Sequence, residues 1–371
     1  MRVLFVTEYL YLPERIGGTE RNTQALCRRL ETMGVTTAVL SKLTRSGWSS
    51  VVHRIARKFG AANRRYADRF AGHRTYRVWN IAQEVDLVIR SFQPDIVVLQ
   101  HSVRPNLADL FVDRGIPVIV YYHDVYWRSP TPPLRMHPLL SVVACSQFVA
   151  ARLRAERGLD AAVVLPLIEV DDYQTFSTRQ EVLFVSLLDE KGADIAWALA
   201  KAHPKIRFRF VEGTFVRPLR HDENVRRAKA LGNVIIEGPQ QNMRQFYARA
   251  KVLLAPSLCE EGYGRTVAEA QVSGIPALCS NQGGLPESAG PGAILLSIEQ
   301  GIAQWSDALS RLWEDNALYQ RLSDAAMRHA QRPEFAPEQT VSNLLGHIER
   351  LLGREKTNNT PELIQSLTYS E

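Results

Sequence analysis

Two glutamates, Glu261 and Glu269, stand eight positions apart as E-x7-E within the stretch from Pro256 to Glu287. The first lies in a glycine-spaced loop, Glu261-Gly262-Tyr263-Gly264, and the second in a short helical pattern from Thr266 to Val272. Gly262 and Gly264 let a backbone take positive φ and pass close to a bulky ligand. The helix after them aims free N–H groups at the loop, a ready place for a phosphate or diphosphate. A carboxylate in the loop suits sugar hydroxyls, and one about a turn into the helix suits a ribose. A plainer reading exists for each acid. Thr266-Val267-Ala268-Glu269 fits a capping box, and Glu261 alone fits a solvated loop acid. The pair at this spacing, with both glycines and the later Gly283-Gly284, favours a ligand site.

Other candidates sit where an apolar run meets a helical pattern. Gly17-Gly18 precedes the helical pattern from Thr19 to Met33. Lys191-Gly192 opens another helix, where a lysine can neutralise a leaving diphosphate. His123-Asp124 ends the run Val118–Tyr122, and Ser146 follows the next one; a histidine there suits a base or a hydrogen-bond donor. Gly238-Pro239 follows Val234–Ile236 and is expected to border a nucleotide base through its backbone. A structural histidine, a solvated lysine and a simple turn are the plain alternatives. G-x-G-x-x-G and G-x-x-x-x-G-K-[ST] are both missing, which weakens the dinucleotide and P-loop readings. No Asp-x-Asp, H-x3-H or G-x-S-x-G occurs, so no metal site and no hydrolase are indicated.

Alternating elements must position these residues. Strand-like runs in the first half are Val3–Val6, Thr37–Leu40, Ile96–Leu99, Val118–Tyr122 and Val142–Ala144. The second half offers Val182–Val185, Phe208–Val211, Val234–Ile236, Val252–Ala255, Ala277–Cys279 and Ile294–Leu296. Helical patterns between them imply an α/β fold with doubly wound parallel sheets. The series restarts near residue 180, after a polar, aperiodic segment from Pro166 to Glu181 that reads as a linker. Ligands in such sheets bind beyond the carboxyl ends of the strands, so the loops of both halves should line one cleft.

The chain has 371 residues, 45% hydrophobic and 23% charged, enough for two domains. Its four cysteines form no CxxC pair and read as reduced thiols, three of them in or beside apolar runs. The first apolar run is too short for a signal peptide, and no stretch approaches the length of a transmembrane helix. The expected location is the cytoplasm, with the inner face of the plasma membrane as a peripheral site. Net charge is +6, and nine Arg/Lys against one acid, Asp68, fall between Arg45 and Arg77. Apolar residues interleave them, which suits an anionic membrane surface or an anionic acceptor as well as a plain solvated helical face. Nucleic acid is not the expected partner, since no binding module accompanies the charge.

The stretch from Lys191 to Glu287, with its E-x7-E and glycine loops, resembles the donor site of retaining glycosyltransferases of family 4 (glycosyl transferases group 1). The resemblance covers most of the chain. It implies the GT-B fold: two Rossmann-like domains facing across a cleft. Residues 1–168 would bind the acceptor, and residues 169–335 the nucleotide-sugar. Residues 336–371 would form a helix crossing back to the first domain, plus a polar tail. It implies a hexosyltransferase-type enzyme that uses a nucleotide-diphosphate sugar and needs no metal or other cofactor. A glycan, lipid-linked or small-molecule acceptor is expected, in bacterial cell-envelope polysaccharide synthesis. By the resemblance Gly17, Gly18 and Lys191 meet the diphosphate, Glu261 with Gly262, Tyr263 and Gly264 holds the sugar, Glu269 the ribose, and His123 lies near the reacting sugar. Glu261, His123 and Lys191 are the expected catalytic residues. The family's Gly-Arg ahead of the lysine is replaced by Ser186-Leu187, and Arg265, beside Thr266, is expected to supply the missing charge. A GT-B nucleotide-sugar epimerase and a non-catalytic GT-B partner subunit are the alternatives.

Overall fold

The computed structural model describes residues 1–43, 67–100, 105–127, 133–214 and 218–353. Eight strands form the first sheet: β1 (Arg2–Val6), β2 (Thr36–Lys42), β3 (Ala67–Asp68), β4 (Arg74–Val78), β5 (Ile96–Gln100), β6 (Val118–Tyr122), β7 (Leu140–Ala144) and β8 (Ala162–Val163). Their order is β3-β4-β2-β1-β5-β6-β7-β8, parallel except for the β3–β4 pair. Six form the second: β9 (Glu181–Val185), β10 (Arg207–Val211), β11 (Val234–Glu237), β12 (Ala250–Ala255), β13 (Ala277–Ser280) and β14 (Ala293–Leu296). This sheet is wholly parallel, in the order β11-β10-β9-β12-β13-β14. Central strands such as β1 and β5 are buried on both faces, which is why they read as unbroken apolar runs.

The linker 166–181 joins the two sheets but is packed against both halves. Leu167 and Ile168 are fully buried, and Val170–Tyr173 is a short helix. Glu169 accepts from Arg29 (2.7 and 2.6 Å), and Asn22 Oδ1 accepts from the Leu167 N–H (2.7 Å). The apolar cluster of the first sheet continues through Leu167 and Ile168 to Val267, Ala270 and Leu285 in the second half. The basic stretch 45–77 is described only from residue 67. Residues 44–66 lie outside the described residues, but 67–78 hold a β-hairpin whose Arg77 is buried. Arg77 bonds Asp68 (2.7 Å) and Glu14 (3.5 Å), and also donates to the carbonyls of Tyr11 and Leu12. Its charge therefore serves the fold rather than a surface.

The last described helix, Pro337–Leu351, packs on the helix Gly18–Thr32 of the first half, where Arg29 Nη1 meets Glu338 Oε1 at 3.2 Å. Among the described residues no helix is long and apolar enough to cross a membrane.

Candidate active site

The loops after β1, β9, β10, β11 and β12 meet around a cavity of about 390 Å³ between the two sheets. Gly17 and Gly18 form one wall from the first half; Lys191, Glu261, Thr266 and Glu269 form another from the second.

Lys191 is placed by backbone geometry. Gly192 after it has φ +80, and an added Cβ would stand 2.9 Å from the Pro256 carbonyl carbon. Only glycine tolerates both, so the Lys191 loop lies directly on the loop that carries Glu261. Lys191 Nζ donates to Glu261 Oε1 at 2.7 Å, and the Ser257 hydroxyl donates to the same oxygen at 2.6 Å. Burial pulls the Lys191 ammonium down, but the charge of Glu261, helped by Cys259 and by the hydrogen bond, outweighs it. The net shift is upward, and the lysine remains a cation.

Glu269 is not in a capping box. The helix is Arg265–Gln271, its N-cap is Gly264 at φ +91, and no side chain caps it. The Glu269 carboxylate, 5% exposed, instead accepts from the Tyr247 hydroxyl on Oε2 (2.9 Å) and pairs with Arg265 Nε on Oε1 (2.8 Å). Each oxygen keeps a further lone pair for a ligand hydroxyl.

Arg265 also lines the cavity, but its guanidinium is engaged on three sides. Besides Glu269 it donates to the Leu167 carbonyl (2.7 Å) and to the Tyr173 hydroxyl (3.2 Å). These contacts tie its guanidinium to Glu269 and to the joining segment, beside the cavity where the family's arginine was expected to be replaced. Leu187, at that arginine's position, is 2% exposed in the apolar core of the second half. Ser186 before it takes φ +69, a left-handed backbone that explains a family glycine there. Cations that sequence reasoning missed come from the other wall: Arg15 and Arg21 line the cavity on either side of Gly17-Gly18. Arg15 pairs with Glu20 (3.1 Å), and Arg21 reaches across the cleft to the Gln240 and Gln241 carbonyls. The signal was present, since basic residues flank a glycine pair that opens a helix. Ser257 and Tyr247 were also missed; Tyr247 carries no local motif at all.

Gly17, Gly18, Lys191, Pro239, Glu261, Gly264, Arg265, Thr266 and Glu269 thus meet in one cavity. His123, Gly238, Gly262 and Tyr263 are not among its lining residues. His123 Nε2 faces Gln100 Oε1 at 2.5 Å, with its ring against Tyr121. Tyr263 turns into the core, 4% exposed, and its hydroxyl accepts from Arg332 (3.0 Å). Gly262 packs on the His123 backbone, where an added Cβ would lie 2.9 Å from the carbonyl carbon. Ser146, expected to face the cleft, is fully buried and donates to the Gly262 carbonyl at 2.6 Å. Glu287 accepts from the N–H groups of Gln147 (2.9 Å) and Phe148 (3.4 Å) at the start of the helix Gln147–Arg157. Burial raises the Glu287 carboxyl from its ordinary value, opposed by those two hydrogen bonds. These contacts hold the two halves closed over the cavity. Among the described residues no group of three or more His, Cys, Asp or Glu could hold a metal ion.

Two family models match successive parts of the chain: "Glycosyltransferase Family 4" over residues 16–170, and "Glycosyl transferases group 1" over residues 179–315. The chain belongs to this glycosyltransferase family. Its fold is that of solved GT-B structures. A glycosyltransferase from Rickettsia africae superposes with a TM-score of 0.72 at 17% identity, covering 95% of this chain and 98% of that one. Anabaena HepE in complex with UDP-glucose gives 0.72 at 15% identity, covering 94% and 100%. Among curated relatives, the D-inositol 3-phosphate glycosyltransferase of Corynebacterium aurimucosum is 34% identical over 103 residues, 28% of this chain. The match spans 24% of that relative's length, and 45% of a Kribbella flavida protein of the same name at 24% identity.

Proposed function

We propose that this chain is a retaining, metal-independent glycosyltransferase that takes its sugar from a nucleotide-diphosphate donor bound in the cavity between the two halves. The observation that carries the reading is the convergence of Lys191, Glu261 and Glu269 opposite the Gly17-Gly18 helix start around one cavity. The diphosphate would lie between Lys191 and the N-terminus of the helix Gly18–Thr32, a 15-residue helix with no side-chain cap. Glu269 would hold the ribose, and Glu261 the sugar hydroxyls through the carboxylate oxygen that Lys191 and Ser257 leave open. In the reaction the bond from the anomeric carbon to the diphosphate oxygen breaks, with its electron pair leaving on the diphosphate. The acceptor oxygen bonds to the anomeric carbon on the same face, and its proton passes to the departing phosphate oxygen. No protein nucleophile is then required. The closed halves would exclude water and limit donor hydrolysis.

The acceptor is a glycan, a lipid-linked saccharide or a phosphorylated small molecule. The relatives named D-inositol 3-phosphate glycosyltransferases support the last, and the basic stretch supports any anionic one, including a lipid-linked acceptor at the inner face of the plasma membrane during envelope polysaccharide synthesis. A second reading, a donor-binding subunit without turnover, is favoured by one observation, the burial of Leu187 in the place of the family's arginine. Incubation with a panel of nucleotide-sugars in EDTA, followed by NMR of any glycoside formed, tests the proposal. A product with the donor's anomeric configuration supports it; inversion or an absolute metal requirement refutes it; tight donor binding without any product favours the second reading.

A further inference from the structure

The Glu269 carboxylate is held on both oxygens, one from its own helix and one from an element 22 residues away in sequence. Tyr247, fully buried, donates to Oε2 (2.9 Å) from the short helix Arg244–Tyr247. Burial, then the charge of Glu269, pushes its phenol well above the ordinary value, so the hydroxyl stays a donor at any working pH. Arg265 pairs with Oε1 from one helical turn before (2.8 Å). The guanidinium is in turn anchored to the Leu167 carbonyl and the Tyr173 hydroxyl, both in the segment that joins the two sheets. The Leu167 N–H donates to Asn22 on the helix that carries the Gly17-Gly18 wall. Tyr173 and Tyr247 meet edge to face with centroids 6.3 Å apart, closing the frame around the carboxylate.

We propose that Arg265 and Tyr247 are positioning residues. They lock the Glu269 carboxylate in the orientation that recognises the two hydroxyls of the donor's ribose, and through Leu167 and Tyr173 they tie that recognition to the inter-domain segment. The proposal rests on the donor-site reading above and deepens it. An unheld glutamate on a helix would rotate among rotamers, and the geometry of a bidentate diol contact would be lost. Arg265 also sets a fixed positive charge beside the buried carboxylate, 2.8 Å from Oε1.

The test compares affinity for UDP, GDP and ADP with that for their 2′,3′-dideoxy counterparts, by calorimetry. The ratio of the two isolates ribose recognition from phosphate and base binding. Hydrogen bonds to a charged acceptor are worth about 1.5–3 kcal/mol, so the wild type should prefer the ribose form by roughly 10- to 100-fold. Tyr247→Phe should cut that ratio to within about threefold of unity while leaving dideoxynucleotide affinity nearly unchanged, and Arg265→Leu should cut the ratio as far. Arg265→Lys, which keeps the charge but not the three-way anchor, should restore part of it. Combining Arg265→Leu with Glu269→Gln should lower the ratio no further than either alone. Should Arg265→Leu not fold, Tyr247→Phe and Arg265→Lys decide alone. An undiminished ratio in the folded variants overturns the proposal. A wild type that binds nucleoside diphosphates without preferring ribose also overturns it, whereas a wild type that binds none overturns the donor-site reading itself.

Discussion

Replacing Gly262 with alanine should open the cleft. The backbone of Gly262 carries no positive φ, so alanine is locally acceptable, but its Cβ would sit 2.9 Å from the His123 carbonyl carbon and closer still to the oxygen. Ordinary contact begins at 3.4 Å, so the two loops must part by at least 0.5 Å, the difference of these distances. Cys145 Sγ, at 3.3 Å, blocks the sideways route. Because His123 belongs to the first half and Gly262 to the second, the relief is a movement of one against the other. The Ser146 hydroxyl then loses the Gly262 carbonyl, at about 1–3 kcal/mol for a buried group left unpaired. The Glu287 carboxylate, held at a helix N-terminus, loses about another 1 kcal/mol. Together this weakens the closed arrangement by about 2–4 kcal/mol, a shift of roughly 30- to 1000-fold in the closed-to-open ratio. Hydrogen exchange of peptides covering 145–150 and 260–265, with small-angle scattering, reads the movement directly. Faster exchange in both peptides, a larger radius of gyration and at least tenfold weaker nucleoside-diphosphate binding are expected. Ser146→Ala should show the same pattern at smaller amplitude. Gly346→Ala is the control, since its Cβ would meet only Arg350 Nη1, at 3.7 Å. Unchanged exchange and scattering in Gly262→Ala would refute the claim that this contact holds the halves closed.

Three further outcomes follow from the same geometry. Lys191→Ala removes the cation from Glu261 and from the proposed diphosphate position, and should lower transfer by roughly 100-fold or more with little change in melting temperature, as measured by product formation. Arg77→Met leaves Asp68 and Glu14 without their buried partner and should cost about 3 kcal/mol in urea unfolding, with nucleotide affinity retained. His73, buried beside the Tyr11 hydroxyl (3.1 Å), has its pKa lowered to about 4, chiefly by burial, with Asp68 opposing and Arg77 and Arg69 assisting. A folded-state value below the unfolded one means the stabilisation is complete above about pH 6.5 and is lost as pH falls toward 4. The loss amounts to at most about 3 kcal/mol, so His73→Gln should flatten the decline of urea stability between those values; an equally steep decline would remove His73 from the account.

Most of the strands were legible because the central ones are buried on both faces and read as apolar runs. The hairpin of β3 and β4 was not. Arg-Thr-Tyr-Arg-Val carries two arginines, and only the tertiary partners Asp68 and Glu14 make Arg77 acceptable in a buried strand. The packing of the joining segment was not legible for a related reason: Leu167 and Ile168 are too few to show a period, and what buries them comes from both halves. Within the site, Lys191 and Glu261 were visible because each falls at a strand-to-helix junction, and Glu269 because it stands eight positions after Glu261 in the helix that follows. The roles of Arg265 and Ser146 were not, because their partners, Leu167, Tyr173 and Gly262, stand about a hundred residues away in the chain.

The central claim is that the cavity binds a nucleotide-sugar through Glu269 and Lys191. Calorimetric titration of the full chain in EDTA with UDP, GDP, ADP and dTDP and their sugars tests it most directly, with Glu269→Ala alongside. One base should bind at micromolar affinity and weaken at least tenfold in Glu269→Ala. Equal binding by the variant, or none by the wild type for any of the four, would contradict the account.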